Sequence, residues 1–437
     1  GRLVPRLPPD EIVAGVAHRG AWGARELRGV SAAPFLRPDG TICQSAGYDE
    51  ATGILYAPGQ AFPAAPDLPT RADAEAALRA VLEPLADFPF KRTGDRSPSL
   101  GAFVSLLLTL AIRPAIRGTV PGWIVSANTR GTGKTLLAQV ASRIVYGRSV
   151  EVRSFSRDEE ENRKRITSVF KAGDRLCVFD NVKRAVGGEP IEMAITAETW
   201  SDRELGSNNV LSVPNGCVFV FTGNNVSTEQ DAARRFVPVD LETRHMRPED
   251  RDDFRIPDLD AWLVEARPRL VVALLTIARA WWAAGRPLAG VRSLGSFEGW
   301  SRTIPAMLAW LGCSTPLEAR EASAATEDQD RGDLAQLADW WERFCATYGA
   351  AEVGATVGGV VRFLWPVDRQ KITEESADLR GELETILRAT GKAEAHRALV
   401  YRLRAAKARI IDATGRRFDA GGMHRGERRW RVIRPEE

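Results

Sequence analysis

Apolar positions change their rhythm along this chain. In the middle, Trp123 to Ala127, Leu176-Cys-Val-Phe179 and Cys217-Val-Phe-Val-Phe221 are short runs that are apolar on both faces. Helical segments separate them, which predicts strands of a buried parallel sheet and an α/β core. The stretch Ser99 to Ile116 reads as an apolar helix leading into the first strand, and Leu136-Leu-Ala-Gln-Val140 reads as a helix leaving it. From Leu259 to Leu311 the period turns helical, with Trp262, Trp281, Trp282, Trp300 and Trp310 as anchors of helix packing.

The flanks differ. Residues 1–92 are rich in Pro and Gly, with β-like pieces at Thr41-Ile-Cys and Gly53-Ile-Leu-Tyr56 and a helical stretch from Ala72 to Leu85, as expected of a small accessory domain. The polar stretch Ser314 to Gly332 reads as a linker. These signals predict an accessory domain (1–92), an α/β core (93–257), a helical lid (258–313), the linker (314–332) and a C-terminal domain (333–437). In that last part, helices over Leu379 to Thr390 and Glu394 to Ala406 precede a strand at Ala408 to Ile411, a glycine-rich turn from Gly415 to Gly426 and a strand from Arg429 to Ile433. Two helices followed by a hairpin with a basic tip predict a winged helix.

Charge sharpens that expectation. The net charge of the 437 residues is only +3, yet Lys392 to Arg434 holds thirteen Lys/Arg against four acidic residues, so this end favours a polyanion. On a winged helix, Arg397, Arg402 and Arg404 would lie on the helix facing the groove, with Arg425, Arg428 and Arg429 on phosphates. Five scattered cysteines, mostly in apolar runs, predict reduced core residues of a cytoplasmic protein. The apolar stretch Leu100 to Ile112 is too short to cross a bilayer, and Arg279 interrupts the one from Leu270 to Ala284, so no membrane partner is expected. The chain opens at Gly1 without methionine, which leaves open whether a further domain precedes it.

Candidate chemistry begins where the first strand ends. The run Trp123-Ile-Val-Ser-Ala-Asn-Thr-Arg-Gly-Thr-Gly-Lys-Thr135 joins a strand, a glycine-containing loop and a helix start. Loop N–H groups at Gly131, Thr132 and Gly133 and the helix N-terminus can cradle the phosphates of a nucleoside triphosphate. Lys134 supplies a point charge, and the Thr135 hydroxyl can ligate Mg²⁺. The pattern Gly-x-x-x-x-Gly-Lys-[Ser/Thr] asks for glycine at position 128, where this chain has Asn128, a residue tolerant of left-handed backbone angles. Asp180 ends an apolar strand expected beside the loop strand, where a carboxylate can hold a Mg²⁺ water shell. Asn181 follows, where many such ATPases place Glu. Either Asn181 positions the water, or a carboxylate of Asp158-Glu-Glu-Glu161 reaches in, although that acidic patch reads first as a helix start favoured by the dipole. Asn224, in Phe221-Thr-Gly-Asn-Asn225, could bond the attacking water and the γ-phosphate. In Asp231-Ala-Ala-Arg-Arg235 adjacent arginines point apart, so one can reach its own nucleotide or the sheet while the other crosses to a neighbouring subunit.

Taken together, Gly131-Thr-Gly-Lys-Thr135, Val178-Phe-Asp-Asn181, Thr222-Gly-Asn-Asn225 and Asp231-Ala-Ala-Arg-Arg235 resemble the successive motifs of superfamily 3 helicases, an AAA+ branch found in phages, plasmids and viruses. The similarity extends to Leu36-Arg-Pro-Asp-Gly40, Gly47-Tyr-Asp-Glu-Ala-Thr-Gly53, Gly295-Ser-Phe-Glu-Gly-Trp-Ser301 and Trp310-Leu-Gly312, most closely with primase-helicases of phages and mobile elements. The resemblance implies ATP and Mg²⁺ as cofactors, a homo-oligomeric ring (typically a hexamer), single-stranded or forked DNA as partner, and a primase-polymerase domain or partner. It assigns Lys134 and Thr135 to phosphate and metal, Asp180 to metal, Asn224 to γ-phosphate sensing and Arg234 or Arg235 to a trans-acting finger. It also places a pore hairpin over Thr199 to Val213, where Arg203 is the only cation and Trp200 sits close by. The function implied is an ATP-dependent DNA helicase. Alternatives are a DNA-dependent ATPase that loads a primase or recognises an origin, and a ring that binds nucleotide but hydrolyses it poorly.

Overall fold

The computed structural model describes residues 7–19, 23, 25–203, 210–229, 232–243, 247–368, 372–407, 411–412 and 414–434. It comprises two compact units, residues 1–320 and 321–437. The first is built on five parallel strands, β1 (Gly122–Ala127), β2 (Val152–Ser154), β3 (Leu176–Val182), β4 (Val218–Asn224) and β5 (Phe236–Leu241), in the order β5-β1-β4-β3-β2. Every residue of β1 is buried, because helices cover the sheet and leave neither face to water.

This order corrects one expectation. β3, which ends near Asp180, does not lie beside β1; β4 is inserted between them. Both β3 and β4 are apolar on both faces, so the sequence marks them as interior strands without saying which is whose neighbour. The core locks the order: Phe179 stacks on Phe221 with ring centroids 5.2 Å apart, and Trp123 meets the edge of Trp300 at 5.9 Å.

Residues 33–85 do not form a core of their own. Leu36, Ala74, Val81 and Leu85 join the main core, and helix Arg71–Leu82 packs on the long helix Leu259–Ala283. Only Phe35, Cys43, Ile54 and Tyr56 cluster separately, too few to stabilise an independent domain. The stretch read as a linker is helical as well, lying in helix Pro316–Thr347, inside which the division between the two units falls. Its polarity suggested a loop, but Glu321-Ala-Ser-Ala-Ala-Thr is rich in strong helix formers.

The second unit places helices Val357–Leu364, Glu374–Leu387 and Gly391–Ala406 against a three-stranded antiparallel sheet. In that sheet Glu427–Ile433 lies between Ala355–Thr356 and Arg417–His424. Trp340, Trp341, Phe344, Leu383, Leu399 and Phe418 fill its core. The stretch read as a glycine-rich turn is mostly the strand Arg417–His424. Gly421 and Gly422 sit where the register shifts, a bulge, and the chain reverses at Arg425-Gly426, both left-handed (φ 50° and 80°). Of the expected strand at 408–411, residues 408–410 lie outside the described residues.

Arg416 ties this unit together. Its guanidinium pairs with Asp339 (2.5 Å) and Glu342 (3.0 Å) on helix Pro316–Thr347 and with Asp412 (2.6 Å) before the hairpin. The Thr414 hydroxyl, with help from Arg416 and against burial, holds the Asp412 carboxyl down to about 2. A depressed carboxyl stabilises the fold fully above its unfolded value near 3.8 and loses that contribution as pH falls towards 2. Arg416→Met is therefore expected to destabilise the second unit by about 1–3 kcal/mol at neutral pH, and less at pH 2 to 3, in urea unfolding followed by tryptophan fluorescence. Equal effects at both pH values would contradict the pairing.

Candidate functional site

The site grows from the C-terminal end of β1. Gly131 and Gly133 both adopt left-handed angles (φ 74° and 87°), which let the chain curl into a loop before helix Lys134–Tyr146 begins. A Cβ on Gly133 would stand 2.9 Å from the Phe88 ring, and one on Gly131 would stand 2.8 Å from a Glu249 carboxylate oxygen. The left-handed angle selects glycine at both positions, and a side chain there would also have to displace the Phe88 ring or the Glu249 carboxylate. The loop's N–H groups and the helix start form a concavity of the kind that can bind an anion.

Lys134 Nζ folds over this concavity, donating to the Thr129 carbonyl at 3.1 Å and to the Thr132 hydroxyl at 3.2 Å. Burial pushes its pKa below the ordinary lysine value, with the Asp180 carboxylate opposing. The Thr135 hydroxyl donates to Asp180 Oδ1 at 2.7 Å, and the fully buried Thr222 hydroxyl of β4 donates to the same oxygen. One carboxylate oxygen thus joins the loop helix, β3 and β4. A hydroxyl and a carboxylate beside an anion cradle suit Mg²⁺, which takes few protein ligands and leaves the rest to phosphate and water. Among the described residues no group of three His, Cys, Asp or Glu could hold a metal by itself.

Asn181 explains itself through the backbone. β3 runs Phe179 to Val182 opposite Phe221 to Gly223 of β4, so β3 carries one extra residue there. Asn181 lies in that bulge, exposed, at φ 53°, a conformation Asn accepts more readily than Glu. Asn224, the last residue of β4, lies exposed beside Ala127, the last of β1, so strand register brings it to the loop.

Several expected roles change. Asn128 does not use a left-handed angle; its side chain exchanges hydrogen bonds with the Thr243 backbone at 3.0 and 3.4 Å, joining the loop to the end of β5. The acidic patch is a helix start: Asp158 caps helix Glu159–Ala172, and Glu161 pairs with Arg165 at 3.1 Å. Trp200 is 1% exposed, stacks on Phe170 at 5.2 Å and donates to Thr167, so it is a core residue unable to touch DNA. Arg203 is exposed at the end of strand Thr199–Arg203, which pairs with Val210–Pro214; the hairpin tip lies outside the described residues.

Asp231 also lies outside the described residues, but the two arginines are clear. Both precede Phe236, which pairs with Gly122 at the start of β1, whereas the loop follows the end of β1. That is a strand length, about 17 Å, from their own loop, so neither reaches a ligand there. Arg235 is held by Glu192 at 2.6 Å, while Arg234 is exposed.

Sequence reasoning missed a cavity of about 560 Å³ beside the loop. Phe88, Leu136, Phe254 and Pro257 line it, with Asp87, Thr132, Glu242, Thr243 and Arg251 as polar groups. Arg251 donates to the Asp87 carbonyl at 2.8 Å and Asp87 accepts from Arg255 N at 2.7 Å, which ties the two walls together. The wall residues come from loops more than 150 positions apart, so no local pattern announces them.

In the second unit a groove of about 660 Å³ separates helix Gly391–Ala406 from the hairpin. Arg404 and Arg428 line it together with His396 and Lys407, which the sequence reading did not single out. Arg397 and Arg425 are exposed, and Arg429 leans on His424 at 3.3 Å. Arg402 is committed to Asp333 at 3.2 Å, so it is withdrawn from the groove set.

No family model and no curated protein matches the chain. Among solved structures, the apo C-terminal region of NrS-1 is similar at 13% identity and a TM-score of 0.36, over 87% of this chain and 80% of that one. JCV helicase is similar at 15% identity and a TM-score of 0.24, over 57% of this chain and 75% of that one.

The bulge at Asn181 gives a direct test. Asn181→Gly is expected to leave stability unchanged within about 0.5 kcal/mol, whereas Asn181→Val should cost about 1–2 kcal/mol in urea unfolding, because a β-branched residue resists φ 53°. Equal costs would show that the side chain, and not the backbone angle, selects Asn.

Proposed function

We propose that this protein is an ATP-driven DNA motor of the superfamily 3 kind, working as a ring of identical subunits. The observation that carries the proposal is the junction of Thr135, Asp180 and Thr222 at the glycine loop, an anion cradle with a metal-ready carboxylate beside it. The strand order β5-β1-β4-β3-β2 supports an AAA+ core, in which the sensing strand stands between the loop strand and the metal strand.

In this reading the N–H groups of Gly131 to Thr135 bind the β- and γ-phosphates and Lys134 neutralises them. The apolar cavity beside Phe88 and Phe254 takes the base. Mg²⁺, held by Thr135 and Asp180, would supply charge neutralisation at the transferring phosphoryl group. Asn224 orients water against the γ-phosphate. Arg234, a strand length from its own loop, acts on a neighbouring subunit's nucleotide, which makes the oligomer part of the active site. Fingers of this type are worth roughly 10³ to 10⁵ in rate.

The second unit supports DNA engagement. Its three-stranded sheet and preceding helices support a winged helix, with Arg404, Lys407 and Arg428 on the backbone of DNA. Arg203 would add one positive charge per subunit to the pore of a ring. A place in phage or mobile-element replication, with a primase-polymerase as partner, follows from the motif resemblance.

One observation favours a second reading. No carboxylate neighbours Asp180 at position 181, which suits a slow, DNA-regulated ATPase that loads a primase or marks an origin without separating strands.

Steady-state ATP hydrolysis with and without single-stranded DNA, with particle mass measured in parallel, tests the proposal. DNA should raise turnover in an oligomer, and Lys134→Ala and Asp180→Asn should each lower it by about 10²-fold or more. Strand separation on a forked duplex distinguishes the motor from the loader. Absence of turnover in every oligomeric state would overturn both.

A further inference from the structure

The short turn Ala233–Arg235 that presents Arg234 is gripped from outside the sheet. Arg320 Nη1 donates to the Arg234 carbonyl at 2.6 Å and to the Phe236 carbonyl at 2.9 Å. These carbonyls lie on either side of Arg235, so one guanidinium nitrogen clamps the junction between the turn and β5. β5 is the outermost strand of the sheet; its far end is held by residues 89–91, through Lys91 N to the Asp240 carbonyl and Glu242 N to the Pro89 carbonyl (both 2.8 Å), and Arg320 holds its near end.

Arg320 is an expensive way to hold a turn. Burial pushes its pKa down, no carboxylate among the described residues acts against it, and its observed hydrogen bonds go to main-chain carbonyls. A guanidinium removed from water normally comes with an acidic partner. On the other face of the same turn, Arg235 pairs with Glu192 at 2.6 Å. The turn is thus anchored within its own subunit by two arginine side chains, and Arg234 between them is left to project outward.

We propose that Arg320 is the positioning residue for Arg234: by clamping the carbonyls on both sides of Arg235, it fixes the backbone from which Arg234 reaches the nucleotide of a second copy of this chain. This rests on the reading of Arg234 as a trans-acting group. Arg320 touches neither substrate nor metal, and its own glycine loop lies at the far end of the strands. Losing the clamp therefore spares nucleotide binding in the same subunit and weakens hydrolysis in the neighbour. Small misplacement of a group that acts on a transition state costs up to about 10²-fold in rate.

The test uses ATP turnover of the full chain, alone and in mixed oligomers. Arg320→Met, which keeps an apolar stem and removes the donors, is expected to lower kcat by about 10- to 100-fold with KM for ATP within about twofold of wild type. Arg320→Lys should recover part of the loss, since an ammonium can still reach one carbonyl. Mixed with Lys134→Ala subunits, Arg320→Met subunits should regain turnover, because their own loops are intact and the neighbour's Arg234 is sound. The Arg234→Ala and Lys134→Ala mixture is the control.

If that control regains turnover while Arg320→Met alone behaves as wild type, the clamp is dispensable and the inference is wrong, with the trans reading intact. A loss in Arg320→Met that mixing does not repair, with a lowered melting temperature, would make Arg320 a fold residue only and also overturn it. If the control itself regains nothing, the trans reading fails and the inference falls with it.

Discussion

One carboxylate oxygen constrains the geometry of the first unit. Asp180 Oδ1 accepts from Thr135 and from Thr222, residues on three segments far apart in the chain. Because β4 separates β1 from β3, the strands that carry the loop and the carboxylate stand about 10 Å apart. The gap is closed from both sides: the helix starts directly after the loop, and β3 bulges at Asp180-Asn181. Thr222, on the inserted strand, supplies the hydroxyl that holds the carboxylate between them. Each of these features would be a local oddity alone, and together they put a metal-ready oxygen beside an anion cradle.

Arginine is used here as a backbone clamp as well as a partner of carboxylates. Arg113 donates to the carbonyls of Ile116, Gly118 and Asn215, Arg267 to that of Val145, and Arg320 to those of Arg234 and Phe236. All three have their pKa lowered by burial. A planar guanidinium with five donors can satisfy several carbonyls at loop junctions at once. The number of basic residues therefore overstates the charge available to a polyanion. In the second unit, Arg402 and Arg416 are spent on carboxylates, and the groove beside the hairpin keeps His396, Arg404, Lys407 and Arg428 together with the carboxylate of Glu427.

What the sequence revealed follows from which signals are local. Gly131-Thr-Gly-Lys-Thr135 announces loop, helix start and chemistry in five residues, and the two-faced apolar runs announce buried strands. Strand order is not local, so the insertion of β4 was invisible, and with it the part played by Thr222. Trp200 sits beside an expected pore loop, yet its burial against Phe170 is a tertiary fact. Asn181 departs from the usual carboxylate in plain view, but the bulge that accounts for its conformation comes from pairing with β4. Gly421 and Gly422 mark a bulge and not a turn for a similar reason. The Ser314 to Gly332 stretch is polar enough to read as a loop, yet its Glu and Ala residues favour the helix it forms from Pro316 on. The cavity beside Phe88 and Phe254 escaped because its walls meet only in three dimensions.

The central claim is that the glycine loop and Asp180 together form a metal-dependent nucleotide site. Calorimetric titration of a slowly hydrolysed ATP analogue, with Mg²⁺ present and then chelated, addresses it most directly. One site per chain, weakened at least about tenfold when Mg²⁺ is removed and again by Asp180→Asn, is the expected result. Binding indifferent to both the metal and Asp180, or no binding at all, would contradict it.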